Sequence, residues 1–183
     1  MTPKHLVKIS KFISRVLRHA PEDIGITLDK NGWASTQDLI NGMTNKGKKI
    51  DLDTLKFIVK VDEKQRYKFN EDFSQIRASQ GHSVDIDLAL APAQPPDILY
   101  HGTATRFLAD IKKDGLISKK RHHVHLSKDK ETAENVGARH GLVAVLTINA
   151  MQMFADGYEF FMSDNGVWLT ESVPPRYIWQ FTR

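Results

Sequence analysis

Leu90-Ala91-Pro92-Ala93-Gln94-Pro95-Pro96-Asp97 is the stretch that decides how this chain divides. Three of the five residues from 92 to 96 are proline, which removes backbone donors and stiffens the chain. The segment 91–96 therefore reads as a linker between two domains, 1–90 and 97–183. A chain of 183 residues has room for one domain or two small ones. Two halves of about 90 residues would each be marginal alone.

On the N-terminal side, Thr2-Pro3 reads as a helix cap followed by proline in the first turn. Leu6, Ile9, Phe12, Ile13, Val16 and Leu17 then recur at helical spacing. Pro21 stops that helix and leaves Arg18 and His19 in its last turn. Ile24–Leu28 reads as a short strand and Asn31-Gly32 as a turn. Ser35 with Asp38 resembles a capping box that opens a helix through Leu39 and Met43. A further helix over Leu52–Val61 turns Leu55, Ile58 and Val59 inward, and Arg66–Asn70 and Ser74–Ala78 close the domain as two strands. Helices followed by a terminal ribbon predict a winged-helix-like lobe.

The C-terminal side is richer in strands. Ile98–His101, Val124–Leu126, Val143–Ile148 and Tyr177–Phe181 read as strands. Phe107, Leu108, Ile111 and Leu116 mark a helix that Gly115 can end. Ser127 or Asp129 can cap another through Ala133 and Val136. Asp164-Asn165-Gly166 is a hairpin turn between Phe160–Met162 and Val167–Thr170. The expected class is α+β with mixed, mostly antiparallel strands, not a doubly wound sheet.

Composition narrows the function classes. No apolar run approaches the roughly 18 residues of a membrane span. Met1 to Lys11 is polar and basic from the start, without the apolar core of a secretory leader. Cysteine is absent, which excludes disulfides, thiolate zinc sites and cysteine nucleophiles. The expectation is a soluble, cytoplasmic monomer that makes no use of a membrane. A net charge of +4 permits an anionic partner without demonstrating one. The loops G-x-G-x-x-G and G-x-x-x-x-G-K-[ST] and the motifs H-E-x-x-H and G-x-S-x-G are missing.

What stands out is arginine and histidine in short, unusual contexts: Arg18-His19, Arg77 with His82, His101, Arg121 with His123 and His125, and Arg139-His140. Each also has a plain reading. Arg18 can simply complement a helix dipole, Arg77 can be a solvated strand residue, Lys119-Lys120-Arg121 can be a charged loop, and Arg139 can be a surface residue. His123 and His125 alternate along a strand and share a face. With His101 they could hold zinc, but no cysteine and no carboxylate stands in those segments, so no metal is expected.

Taken in order, Leu17-Arg18-His19-Ala20-Pro21-Glu22, Ile76-Arg77-Ala78-Ser79-Gln80-Gly81-His82-Ser83, Leu99-Tyr100-His101-Gly102-Thr103, Val124-His125-Leu126-Ser127 and Asn165-Gly166-Val167-Trp168-Leu169-Thr170 resemble the RNA (tRNA) 2′-phosphotransferase family. The resemblance runs from about Ser10 to Trp179, and the ordered set is far more specific than any one tetrapeptide. It implies a winged-helix-like RNA lobe joined to an ADP-ribosyltransferase-like NAD lobe. It implies transfer of an internal RNA 2′-phosphate to NAD, a consumed co-substrate, through an RNA–phospho–ADP-ribose intermediate. The products are 2′-hydroxyl RNA, nicotinamide and ADP-ribose 1″,2″-cyclic phosphate, as in tRNA splicing and RNA processing. The family's Arg-His-Arg-Arg set falls on Arg18, His19, Arg77 and Arg121, and its His-His-hydrophobic signature on His101, His125 and Val167.

Those residue types suit the reaction. A phosphomonoester carries close to two negative charges near neutral pH and is already a nucleophile. It needs planar guanidinium groups to hold it, each gripping two oxygens. The expectation is that the three arginines converge on one phosphate, with His19 as general acid for the departing RNA oxygen or as a phosphate contact. Relatives that modify proteins usually carry glutamate where Val167 stands, and Glu171 is near enough to be mistaken for it. His101, Gly102, Thr103, Ser127 and Arg139 are expected to contact NAD, with the glycine admitting its close approach. The alternatives are an ADP-ribosyltransferase acting on nucleic-acid ends or protein, and a nucleic-acid binder with an inert NAD-like lobe.

Overall fold

A computed structural model describes the backbone of residues 3–182 and the side chains of residues 5–179. The expected cap at Thr2 lies outside the described residues. The chain divides into two compact units, Met1–Ala89 and Leu90–Arg183. Leu90 onward goes with the second because Ala93 N–H donates to the Phe160 carbonyl (2.8 Å) and Pro92 bridges Phe161. The proline-rich stretch is docked on that unit rather than hanging free.

In the first unit, α1 (Pro3–Arg18) places Ile9, Ile13, Val16 and Leu17 in the core. Pro21–Ile24 then forms one 3-10 turn. Residues 24–28 are not a strand as expected: Gly25 turns left-handed (φ 70°) and Ile26 N–H returns to the Pro21 carbonyl, so no ladder forms. A strand not foreseen, β1 (Trp33–Ser35), follows. The Ser35 hydroxyl caps α2 (Thr36–Asn45) by accepting from Asp38 N–H, and Asp51 caps α3 (Leu52–Lys60) through Thr54 N–H. The ribbon of β2 (Tyr67–Phe69) and β3 (Gln75–Ala78) completes an antiparallel sheet ordered β1-β3-β2. Tyr67, Ile76, Ala78 and Ala34 face the helices as one core with Leu39, Met43, Leu55 and Ile58.

In the second unit, β4 (Ile98–Ala104) runs three residues past the expected His101. It is followed by α4 (Leu108–Asp114), β5 (Leu116–Ile117), β6 (Val124–Leu126) and α5 (Lys130–Gly137). Leu116, expected on the helix, is instead paired with Val173, because Gly115 ends α4 one residue earlier. Asp129, not Ser127, caps α5. Then come β7 (Val143–Asn149), α6 (Ala150–Ala155, capped by Asn149 and not foreseen), β8 (Phe161–Met162), β9 (Trp168–Thr170), β10 (Ser172–Val173) and β11 (Ile178–Thr182). The sheets are ordered β11-β7-β4, β6-β9-β8 and β10-β5. All their ladders are antiparallel, so the molecule is mixed α and β with antiparallel sheets. Among the described residues no helix is long and apolar enough to cross a membrane.

Candidate functional site

In the first unit, the end of α1 holds Arg18 and His19. Arg18 Nη2 donates to the Arg66 carbonyl at 3.3 Å. His19 Nδ1 hydrogen-bonds Ser83 Oγ at 2.9 Å, while Ser83 N–H donates to the Arg18 carbonyl at 2.9 Å. The segment after Gln80-Gly81 therefore clips both the backbone and the ring of this pair, and His19 itself stays exposed.

Arg77 sits differently. Only 8% of its surface is exposed. Its guanidinium stacks on the Trp33 ring, 4.7 Å from the centroid, and Nη1 donates to the Asn31 and Leu88 carbonyls at 3.4 Å each. These contacts run to β1, to the turn before it and to the chain after His82. A cation that sequence reasoning passed over, Arg66, has its backbone against Arg18. It ion-pairs with Asp62 and keeps a third of its side-chain surface exposed (33%). Asp62-Glu63-Lys64-Gln65-Arg66 reads as an ordinary charged loop, and only the return of the ribbon beside α1 singles Arg66 out.

In the second unit, three expected residues form one hydrogen-bonded chain. His101 on β4 reaches the His125 carbonyl on β6 through Nδ1 at 2.9 Å, and Arg121 Nη1 lies 3.2 Å from His125 Nδ1. A carbonyl only accepts, so His101 carries its proton on Nδ1 and Nε2 is an acceptor. A guanidinium only donates, so His125 accepts at Nδ1 and bears its proton on Nε2. The two imidazoles thus offer opposite hydrogen-bonding character. Burial pushes the His101 pKa below its ordinary value, against the opposing pull of the His125 carbonyl, and the nearby His140 adds to the lowering. Tyr100 and Ser127 exchange backbone hydrogen bonds at 2.8 and 2.7 Å, which fixes Ser127 beside this chain.

Gly102 must be glycine for a reason the sequence does not reveal. A Cβ there would lie 1.7 Å from the Ala133 carbonyl oxygen, so its bareness serves the packing of α5 on β4. Thr103 is buried in the same strand. The positive end of α5 is already occupied by its Asp129 carboxylate, which takes Thr132 N–H (2.7 Å) and the Thr132 hydroxyl (2.9 Å); those bonds lower the Asp129 pKa. Ser127 does not open that helix, and Arg139 is exposed in the turn Ala138–His140.

Val167 is held by its main chain. Ser163 Oγ accepts from Val167 N–H at 3.0 Å and donates to the Val167 carbonyl at 2.9 Å. The neighbouring Trp168 lines a pocket with Gln94, Pro95, Pro96, Lys128 and Met162. Its indole N–H is buried without a protein acceptor, the condition of a donor that a ligand could satisfy. His123 packs edge-on against Phe161, 5.6 Å between centroids. Among the described residues no group of three or more His, Cys, Asp or Glu could hold a metal ion.

The chain matches a family model described as RNA 2′-phosphotransferase, Tpt1/KptA family, over residues 4–172. It is 51% identical over 170 residues to a Flavobacterium johnsoniae protein named "Probable RNA 2′-phosphotransferase", covering 93% of each chain. Proteins of the same name are similar at 50% over 173 residues in Fusobacterium nucleatum (94% of this chain, 97% of that one) and at 48% over 171 residues in Burkholderia pseudomallei (93% of each).

Proposed function

This chain belongs to the RNA 2′-phosphotransferase family, Tpt1/KptA, and on that premise we propose that it moves an internal RNA 2′-phosphate to NAD, releasing 2′-hydroxyl RNA, nicotinamide and ADP-ribose 1″,2″-cyclic phosphate. The first unit is the winged-helix-like RNA lobe and the second the ADP-ribosyltransferase-like NAD lobe, working as a cytoplasmic monomer without a metal.

The observation that carries this reading is the hydrogen-bonded chain His101–His125–Arg121. NAD carries ribose hydroxyls that donate and accept. His101 Nε2 accepts from one hydroxyl and His125 Nε2–H donates to another acceptor, with neither imidazole charged. Trp168 N–H and Thr103 add polar contacts, Ser127 and Gly102 shape the wall, and Arg139 pairs with the pyrophosphate. Val167 leaves the 2″-hydroxyl unencumbered, as transfer to a cyclic phosphate requires.

Arg18 in the first unit and Arg121 in the second supply the reaction's bidentate phosphate donors, with the Arg66 carbonyl bonded to Arg18. Arg77, also in the family set, acts by positioning: stacked on Trp33 and bonded to the Leu88 carbonyl, it supports the segment whose Ser83 holds His19. Held through Nδ1, His19 delivers the proton that the departing RNA 2′-oxygen needs.

The test is incubation with a 2′-phosphorylated oligonucleotide, with and without NAD and with and without EDTA. Phosphate loss only with NAD, unchanged by the chelator, is the expected result. Loss without NAD overturns the reading, and a stable ADP-ribosylated RNA in place of cyclic phosphate moves the assignment to an ADP-ribosyltransferase.

A further inference from the structure

The outer face of α1 collects cations that the proposed chemistry leaves unused. Residues 3–18 hold five Lys or Arg and no Asp or Glu, against a net charge of +4 for the whole chain. Lys8, Lys11 and Arg15 are exposed and follow one another at i, i+3 and i+4 steps, which puts them on one stripe of a helix. The next step of the same spacing is Arg18, with His19 beside it. Lys48 Nζ stands over the Phe12 ring, 4.5 Å from its centroid, and adds a cation at the edge of the stripe. Arg15 is shared with Asp23 at 2.5 Å, so the weight falls on Lys8 and Lys11.

We infer that this stripe is a docking track for the RNA backbone flanking the 2′-phosphate. The inference rests on the RNA 2′-phosphotransferase reading and extends it from the reacting phosphate to the strand around it. At about 1.5 Å of rise per residue, Lys8 stands about 15 Å along the axis from Arg18, the reach of a few nucleotides. Lysines on such a track neutralise phosphates and release counterions, without reading base identity. A basic helix also suits an anionic membrane, but that partner needs an apolar face to insert. The apolar face of α1 is taken up by the core: Ile9, Ile13, Val16 and Leu17 are 2% exposed or less, and Val7 is the one exposed large apolar residue among its described residues, too little to insert.

The test compares the intact protein with the double variant Lys8→Gln, Lys11→Gln, both confirmed folded by circular dichroism. The probes are a 2′-phosphorylated dinucleotide, a 2′-phosphorylated 12-mer, and vesicles of phosphatidylserine and phosphatidylcholine. For the 12-mer, the variant raises KM and flattens the slope of log affinity against log salt by about 1.4, two single-strand phosphate contacts at about 0.7 each. For the dinucleotide, kcat/KM is unchanged. Equal loss on both lengths, no change on the 12-mer, or a loss confined to vesicle binding overturns the track. If the intact protein acts on neither RNA, the function reading itself fails, and the 12-mer salt slope, read by fluorescence anisotropy, still decides the stripe.

Discussion

His19 and His101 each make a hydrogen bond of 2.9 Å through Nδ1, yet they stand in opposite surroundings. His19 ends a helix of the first unit, exposed, with a serine hydroxyl as partner. His101 lies within a strand of the second unit, bonded to a carbonyl and held neutral by burial. The first is open to solvent and is the proton donor of the proposed reaction. The second is locked in one tautomer and serves as a fixed acceptor. One side-chain type thus stands in two different environments, and in the proposed reaction the environment separates proton transfer from recognition.

The sharpest way to break this contrast is His19→Ala. It should slow release of 2′-hydroxyl RNA by about 10²-fold or more and let the RNA–phospho–ADP-ribose species accumulate in single-turnover gels; an unaltered second step would remove the proton-transfer role. Next is Gly102→Ala, which drives a methyl group into the α5 backbone. We expect a loss of about 3 kcal/mol or more, at or above the usual range for overpacking, read by thermal or urea unfolding. Unchanged stability would mean that α5 can shift away from the strand carrying His101.

A smaller effect separates the arginines. A charged hydrogen bond is worth about 1.5–3 kcal/mol, so Arg18→Ala should slow turnover by roughly tenfold to a hundredfold with little change in Tm. Arg77→Ala should lower Tm by several degrees, since a desolvated cation–π contact is worth about 2 kcal/mol, and Arg77→Lys should recover most of the activity. An Arg77→Ala protein of normal Tm and poor turnover would make Arg77 a direct phosphate ligand instead.

The smallest effect is on pH. Because the folded His101 pKa is lowered, the unfolded chain binds the extra proton first. Stability is therefore full above the unfolded value near 6.5 and declines as pH falls below it. His101→Asn should flatten the fall in Tm between roughly pH 6.5 and 5; an unchanged slope would mean that His101 is not held neutral.

Much of this was legible in the sequence where a signal was long or local. The periodicity from Leu6 to Leu17 and the stop at Pro21 gave α1, Ser35 marked the start of α2, and of the two candidates Ser127 and Asp129 the structure chose the second to open α5. A three-residue strand such as β1, Trp33-Ala34-Ser35, carries too little alternation and too few apolar residues to stand out, whereas β6, with Val124 and Leu126 alternating, did. Residues 24–28 looked like a strand by composition, but Gly25 in a left-handed turn decided their path. At the site, the motifs located His101 and His125 but not their linkage, since no spacing rule places Arg121 against a ring four residues on. Arg77 was conspicuous in sequence and proved nearly buried, whereas Arg66 was inconspicuous and lies against Arg18. Burial and strand return are tertiary facts.

Ser163 grips position 167 by its amide and carbonyl and asks nothing of the side chain. The hairpin therefore works as a socket whose shape is independent of what is plugged into it. A valine there can be exchanged for an acid without rebuilding the loop. On the proposed role of position 167, a change of reaction outcome in this scaffold is then within reach of one codon, and the ease of that step lies in a serine that holds only the main chain of that position.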